Sequence, residues 1–507
     1  MKQQPNSTRI NLLLLLASLF LLSACTSSMN DLPVGVQEAI SSNIVDLSYN
    51  QVFELEASAI KKNINGNDFK LLAYNKQLPG PVLKVKQNSE VKVLFKNRLD
   101  APTTVHWHGL RLENSNDGIP GVTQEPILPG EQKIYTLRFP DDGVYWYHTH
   151  IREDVQQELG MYGAILVTPE KETYNQVDQE EVLFIDDILL DQEEVAPFYD
   201  EADHALMGRF GNQMLTNFAP DYSLDVEEGK ITRLYLINSA NTRVFNFSLE
   251  GTSLKVVGGD SGLYEKDFWA DSVILAPGER TIIEISFQQP GTYQLINRNP
   301  FKTYSLGKIN VKESSSITSR EFYDLKEHSE VIQSIDPFRK YVDTPPDVTV
   351  DLEMEMHGMQ HGMMSGSMMN QESKEGIEWE DTFSMMNQRT TSETLTWILR
   401  DRETGKENED LNYFVKEGEV KKIRIFNDPK SAHPMQHPIH LHGQRFLVLN
   451  ENGISNNNLV WKDTVLVPAG STIDILIPFT NLGTWVFHCH IAEHLEAGMM
   501  GQFTVSQ

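Results

Sequence analysis

One β unit occurs three times along this chain, and that repetition limits the possible folds more than any other feature. Its first element runs Val82-Leu83-Lys84-Val85 through Val91-Lys92-Val93-Leu94-Phe95-Lys96-Asn97. It returns as Leu224-Asp225-Val226 through Ile231–Asn238, and again as Tyr413-Phe414-Val415 through Val420–Asn427. Each copy alternates apolar and polar residues, then ends in Asn, which is the period of half-buried strands. A second element opens on Leu128-Pro129-Gly130-Glu131, Ala276-Pro277-Gly278-Glu279 and Pro468-Ala469-Gly470-Ser471. Pro and Gly there demand a turn. The three copies close on Gly143-Val144-Tyr145, Gly291-Thr292-Tyr293 and Gly483-Thr484-Trp485. Long helical periodicity is absent, and 507 residues suit about three domains. The expectation is an all-β chain of three consecutive Greek-key β-sandwich domains, 45–172, 173–315 and 316–507.

The copies differ where chemistry would sit. After the shared Gly, the first closing strand continues Tyr147-His148-Thr149-His150 and the third Phe487-His488-Cys489-His490, whereas the second reads Leu295-Ile296-Asn297-Arg298. Earlier, the first unit has His106-Trp107-His108-Gly109 and the third His440-Leu441-His442-Gly443; the second has no His there. Alternate side chains of a strand share a face, so each pair points one way and Cys489 points the other. Eight histidines in four pairs exceed what one domain can gather, so the first and third domains are expected to face each other. His437 precedes His440 across Pro438, which is expected to break the alternation and turn His437 to another face. His437, Cys489 and His494, with a weak axial Met499, form the His₂Cys set of an electron-transfer copper site. Buried core histidines are the alternative, but 10 of the 15 histidines fall at these equivalent positions. Zinc is the rival metal, yet a structural zinc site needs only four ligands.

On these four segments the chain resembles the three-domain multicopper oxidases, whose domains are cupredoxin-like. The resemblance implies four copper ions: one type 1 at His437, Cys489, His494 and Met499, and one type 2 at His106 and His440. A type 3 pair falls to His108, His148, His150, His442, His488 and His490. It further implies that electrons taken singly from substrate pass through Cys489 to its neighbours, and that dioxygen is reduced to water. Asp117 matches the family's proton-delivering acid; a turn residue in Asn116-Asp117-Gly118 is the other reading. Where bacterial members often carry Glu after the type 1 His, this chain has Leu495, which removes the usual basis for a proton role at Glu493 or Glu496. An axial Met implies a modest type 1 potential.

Residues 354–386 hold nine of the 17 methionines, among them Met354, Met356, Met359, Met363, Met364, Met368 and Met369. Gly, Ser and Gln fill much of the rest without periodicity, which is not a core pattern. Thioethers select Cu(I), so the segment reads as a collector of substrate copper; an insertion of incidental composition is the alternative. Periplasmic cuprous oxidases of this resemblance carry such insertions in domain three. The primary expectation is therefore oxidation of Cu(I) to Cu(II) in copper tolerance. A laccase acting on phenols or aromatic amines comes second, and a non-enzymatic copper-binding lipoprotein third. Glu378, Glu380 and Asp381 follow as possible holders of a substrate cation or mere solvators.

Charge and the N-terminus bear on partners. Lys and Arg total 43 against 71 Asp and Glu, a net charge of −28 that repels nucleic acid. Lys2 and Arg9 precede the apolar run 12–22, too short to span a bilayer, ending Leu22-Ser23-Ala24-Cys25. Residues 1–24 read as a lipoprotein signal peptide and 25–44 as a tether from a lipidated Cys25. Thr26, in place of a retention Asp, favours the periplasmic face of an outer membrane in a diderm cell, or otherwise the outer cell surface. A monomer is expected. Cys489 then remains as the one free thiol.

Overall fold

Each repeat folds into a pair of packed sheets in this computed structural model, which describes residues 36–171, 173–315, 318, 320–357 and 375–507. The signal segment, Cys25, Met359, Met363, Met364, Met368 and Met369 lie outside the described residues. In the first pair, a sheet ordered Ile44–Asp46, Val82–Lys86, Tyr162–Thr168, Gly143–His148, His106–His108 packs on the four strands Asn67–Tyr74, Val52–Ile64, Glu90–Asn97, Gln132–Arg138. The second pair sets a six-stranded sheet built on Gln179–Ile188, Ile231–Asn238 and Arg280–Ser286 against five strands that include Phe245–Leu249 and Gly291–Arg298. In the third, Val348–Met356, Val420–Asn427 and Thr472–Pro478 pack on a sheet that holds Gly483–Cys489 and His437–Leu441. Some neighbouring strands distant in sequence run parallel, such as Val82–Lys86 beside Tyr162–Thr168, while others pair antiparallel, such as His106–His108 with Gly143–His148. The chain is all-β, with cupredoxin-like sandwiches. No helix among the described residues is long and apolar enough to cross a membrane.

The repeated Asn has the same task three times. Asn97 donates its side-chain amide to Ala101 O and Ile127 O, Asn238 to Arg243 O and Leu275 O, and Asn427 to Met435 O and Val467 O. All three are buried, and each ties a strand end to the chain just ahead of the Pro/Gly turn. Losing such a buried bond costs about 1–3 kcal/mol, since the carbonyls are left unpaired.

Half-burial holds for the first copy, where Val91, Val93 and Phe95 are buried and Lys92 is exposed. It fails for the second: Ile231–Asn238 is buried throughout. The outer face of that strand packs on the first domain, with Tyr235 and Ile237 joining Trp146, Tyr162 and Phe69 in one core. Arg233 is tolerated there because Glu284 meets it at 2.6 Å. The six-stranded sheet of the middle sandwich is thus covered by the first domain along this strand.

Candidate metal centres

Strand register builds the larger group. His106 pairs with His148 in one sheet, and His440 with His488 in another. Alternation then turns each His-X-His pair toward one face. The two faces meet: the rings of His108 and His440 stack at 3.6 Å, and those of His106 and His442 lie 3.9 Å apart. Donor atoms gather as His106 with His108 and His440, His108 with His148 and His490, and His150 with His442 and His488.

Six of the eight rings are hydrogen-bonded through one nitrogen on the side away from the group, and His150 Nδ1 lies 3.1 Å from Glu153 Oε1. Nδ1 of His106 and His440 reaches the carbonyls of Asp117 and Asp463, both at 2.9 Å. His148 and His488 bond the carbonyls of Thr149 and Cys489. His442 Nδ1 meets Asp117 Oδ2, and His108 Nε2 meets both Asp463 Oδ1 and Thr464 Oγ1. The opposite nitrogens of His106, His108, His148, His150 and His440 are buried without a partner among the described residues. Nε2 of His442 and of His488 face each other at 2.9 Å. Orphaned, converging nitrogens with their far sides fixed are what bound metal ions demand, so the donor set fits copper. Burial and the neighbouring rings hold His148, His150, His442 and His488 well below the usual imidazole range, which favours the neutral form a metal ligand needs.

The second group lies behind the first on the same strands. Cys489, between His488 and His490, points into the core of the third sandwich. Its Sγ lies 3.5 Å from His437 Nδ1 and 3.7 Å from His494 Nδ1, and those two nitrogens are 3.3 Å apart. Met499, fully buried, belongs to the same core, and its carbonyl accepts the Cys489 N–H. Burial lowers His437 to about 3, so its ring is neutral. Burial also raises the Cys489 thiol far above its usual range, so only a cation would favour the thiolate. Pro438 does not break the alternation: His437–Leu441 is one continuous strand. His437 reaches the opposite face from His440 because it is an odd number of residues away. Pro438 needs no N–H there, and its carbonyl accepts the His490 N–H at 2.7 Å.

Asp117 is both turn residue and cluster member. Its N–H closes the short helical turn Asn114–Asn116, while its carboxylate lies at His442. Glu493 is fully buried, held up near 7 by burial, and bonded to Asn241 and Thr242 of the middle domain. Glu496 is likewise raised to about 7 by burial and by Asp154. The methionine segment needs correction. Met354 and Met356 belong to the strand Val348–Met356, and Met354 is a core residue paired with Trp397. The strand period Leu352, Met354, Met356 passes for irregular loop because flexible residues follow it. Glu380 is engaged by Arg243, Asn299 and Tyr304, and Asp381 by Asn387, so neither carboxylate is free for a cation.

Sequence reading missed three residues here. Trp397 stacks on His494 at 4.2 Å and meets His437 edge-on. Asp463 and Arg280 adjoin the larger group. Only Arg280 carried a signal, a charge following the repeated turn where the other copies have Gln132 and Thr472.

Comparison with known proteins agrees with this geometry. Family models described as multicopper oxidase match residues 57–172, 145–319 and 377–507. The chain belongs to the multicopper oxidase family and is an oxidoreductase whose histidine groups suit copper. It is 27% identical to "Multicopper oxidase mco" of Staphylococcus aureus over 87% of this chain and 85% of that one. It is 24% identical to "Copper resistance protein A homolog" of Pseudomonas syringae, over 90% and 92%. A Campylobacter jejuni multicopper oxidase described as a metallo-oxidase shares the fold, with TM-score 0.71 and 24% identity over 94% of this chain and 99% of that one.

Proposed function

We propose that this protein oxidises Cu(I) to Cu(II) with dioxygen as electron acceptor, in copper tolerance. His437, Cys489, His494 and Met499 hold a type 1 copper, and His106 and His440 a type 2 copper. His108, His148, His150, His442, His488 and His490 hold a type 3 pair. Loaded, these ions supply the one-electron oxidation and the reduction of dioxygen to water. The chain's own part is to join the two groups covalently, Cys489 to His488 and His490, and to keep both dry. Export as a lipoprotein anchored at Cys25 belongs to the same reading.

One observation carries the preference for a metal substrate. His437 and His494 are only 1% and 0% exposed. Trp397 covers them, its indole N–H bonded to Ala205 O of the middle domain. Asn387 ties Met207 N and Gly208 O to the same cover. A phenol therefore has no direct contact with the histidine edges, whereas an ion needs only a soft donor nearby. His433 packs on Phe383, and Glu378 N bonds Gln436, the residue before His437. Both contacts bring the flank of the methionine-rich stretch to this group.

Oxygen uptake by copper-loaded protein tests the reading, with Cu(I) and a simple phenol as parallel donors. The comparison is a chain lacking 358–374, since 354–356 and 377–387 carry folded structure. Cu(I)-driven uptake that falls on deletion, with phenol oxidation unchanged or raised, is the expected result. Good phenol turnover beside poor Cu(I) turnover makes the protein a laccase instead.

A further inference from the structure

The middle domain supplies no histidine to either group, yet its repeated turn is buried against one of them. In the outer domains the Gly of this turn stands free: a Cβ on Gly130 would meet nothing within 4 Å, and one on Gly470 only Pro429 at 3.6 Å. In the middle copy, a Cβ on Gly278 would sit 2.9 Å from the His490 ring and 3.2 Å from the His108 ring. Gly278 has φ +84°, so it meets both rings with bare backbone.

Arg280 follows two residues later and is fully buried. Its guanidinium forms a two-pronged pair with Asp463 of the third domain, at 2.5 and 2.6 Å. Its Nε donates to Val144 O, on the first-domain strand that ends at His148. Its own N–H donates to Asp260, whose other oxygen accepts Asp463 N and Thr464 N. Asp463 Oδ1 also lies 3.0 Å from His108 Nε2, as does Thr464 Oγ1, whose hydroxyl bonds the same Asp463 oxygen, while the Asp463 carbonyl accepts His440 Nδ1. Gly109 leaves the space for this pair, because a Cβ there would strike Asp463 Oδ2 and Arg280 Nη2. Three domains therefore converge on one carboxylate.

We propose that Arg280 is a positioning residue for His108, acting through Asp463. The fork fixes the plane of the carboxylate, and the carboxylate keeps the ring proton on His108 Nε2. His108 Nδ1, buried and unpartnered among the described residues, is thereby presented to the copper cluster. A lysine cannot reproduce this, because its single ammonium does not set the carboxylate plane. The ligand-free domain thus orients a ligand of the pair proposed above as type 3, and the inference rests on that assignment.

The test uses full-length protein carrying Arg280→Met, Arg280→Lys or Asp463→Asn. The readouts are copper per chain during titration with a copper chelator, the near-ultraviolet type 3 absorption and the blue type 1 absorption. Asp463→Asn keeps volume and leaves the Arg280 bonds to Val144 and Gly278, which guards against misfolding of the Arg280 variants. The expected result in all three is type 3 copper bound about 10–100-fold more weakly, with Lys the mildest and the blue absorption retained. Type 3 copper held as in the parent chain by Asp463→Asn overturns the proposal, as does parallel loss of both absorptions in every variant. Absence of type 3 absorption from the parent chain itself would instead refute the copper assignment.

Discussion

The carboxylate of Asp117 lies 3.0 Å from His442 Nδ1, a contact between first and third domains that are 325 residues apart at this point. The carbonyl of the same residue takes Nδ1 of His106. One residue thus orients two rings of the larger group from opposite sides. Asp117→Ala is expected to lower oxygen uptake about 10–100-fold, the usual effect of removing a group that orients metal ligands. The blue absorption should persist, because Cys489 and its partners lie on the other face of the strands. Uptake equal to the parent's would show that Asp117 serves the turn alone.

Cys489→Ser removes the thiolate donor of the smaller group with little change in volume. Blue colour and turnover should both vanish, and the thermal midpoint of the copper-free chain should barely move. Residual turnover at the parent rate would mean that electrons do not enter through this residue.

Trp397→Ala uncovers His437 and His494. Truncation of a buried Trp costs about 3–5 kcal/mol. Phenol oxidation per blue centre should nevertheless rise, read as kcat/KM at a temperature where the variant stays folded. An unchanged ratio of phenol to Cu(I) activity would show that the cover does not select the substrate.

Asp186 sets a pH dependence. Burial raises it from the ordinary 3.8 to about 8, with Tyr162 and Ser239 as its partners. A raised carboxyl favours the folded state fully below pH 3.8, and that contribution is lost as pH rises toward 8. The slope is at most about 1.4 kcal/mol per pH unit for one proton. Asp186→Asn removes this proton, so the variant should lose less stability than the parent between pH 5 and pH 8. Denaturant midpoints at about those two pH values check it, and parallel losses would contradict the assignment.

Much of the fold was legible because it is written locally and repeated. Period-two alternation marks a strand wherever it occurs, and the terminal Asn of each copy marks a strand end tied back to a loop. The four His-X-His pairs and Cys489 were legible for the same reason, since a strand's pleat alone decides which side chains share a face. The strand Ile231–Asn238 was misread as half-buried because the first domain that covers its outer face leaves no mark within it. Met354 was misread because one strand residue beside a Gly/Ser/Met run shares the run's composition. His437 was placed on the right face for the wrong reason: its spacing from His440 sufficed, and Pro438 is an ordinary member of the strand.

By itself, the sequence determined the strands, the three sandwiches and the facing of every histidine pair, because backbone geometry sets these within a few residues. Only the tertiary structure decided which faces meet and what fixes them. His108 gains Asp463, Asp463 gains Arg280, and His494 gains Trp397 through packing between strands or domains far apart in the chain. Such contacts depend on how sandwiches dock, and docking follows from the summed shape and burial of whole surfaces, which no local residue pattern encodes.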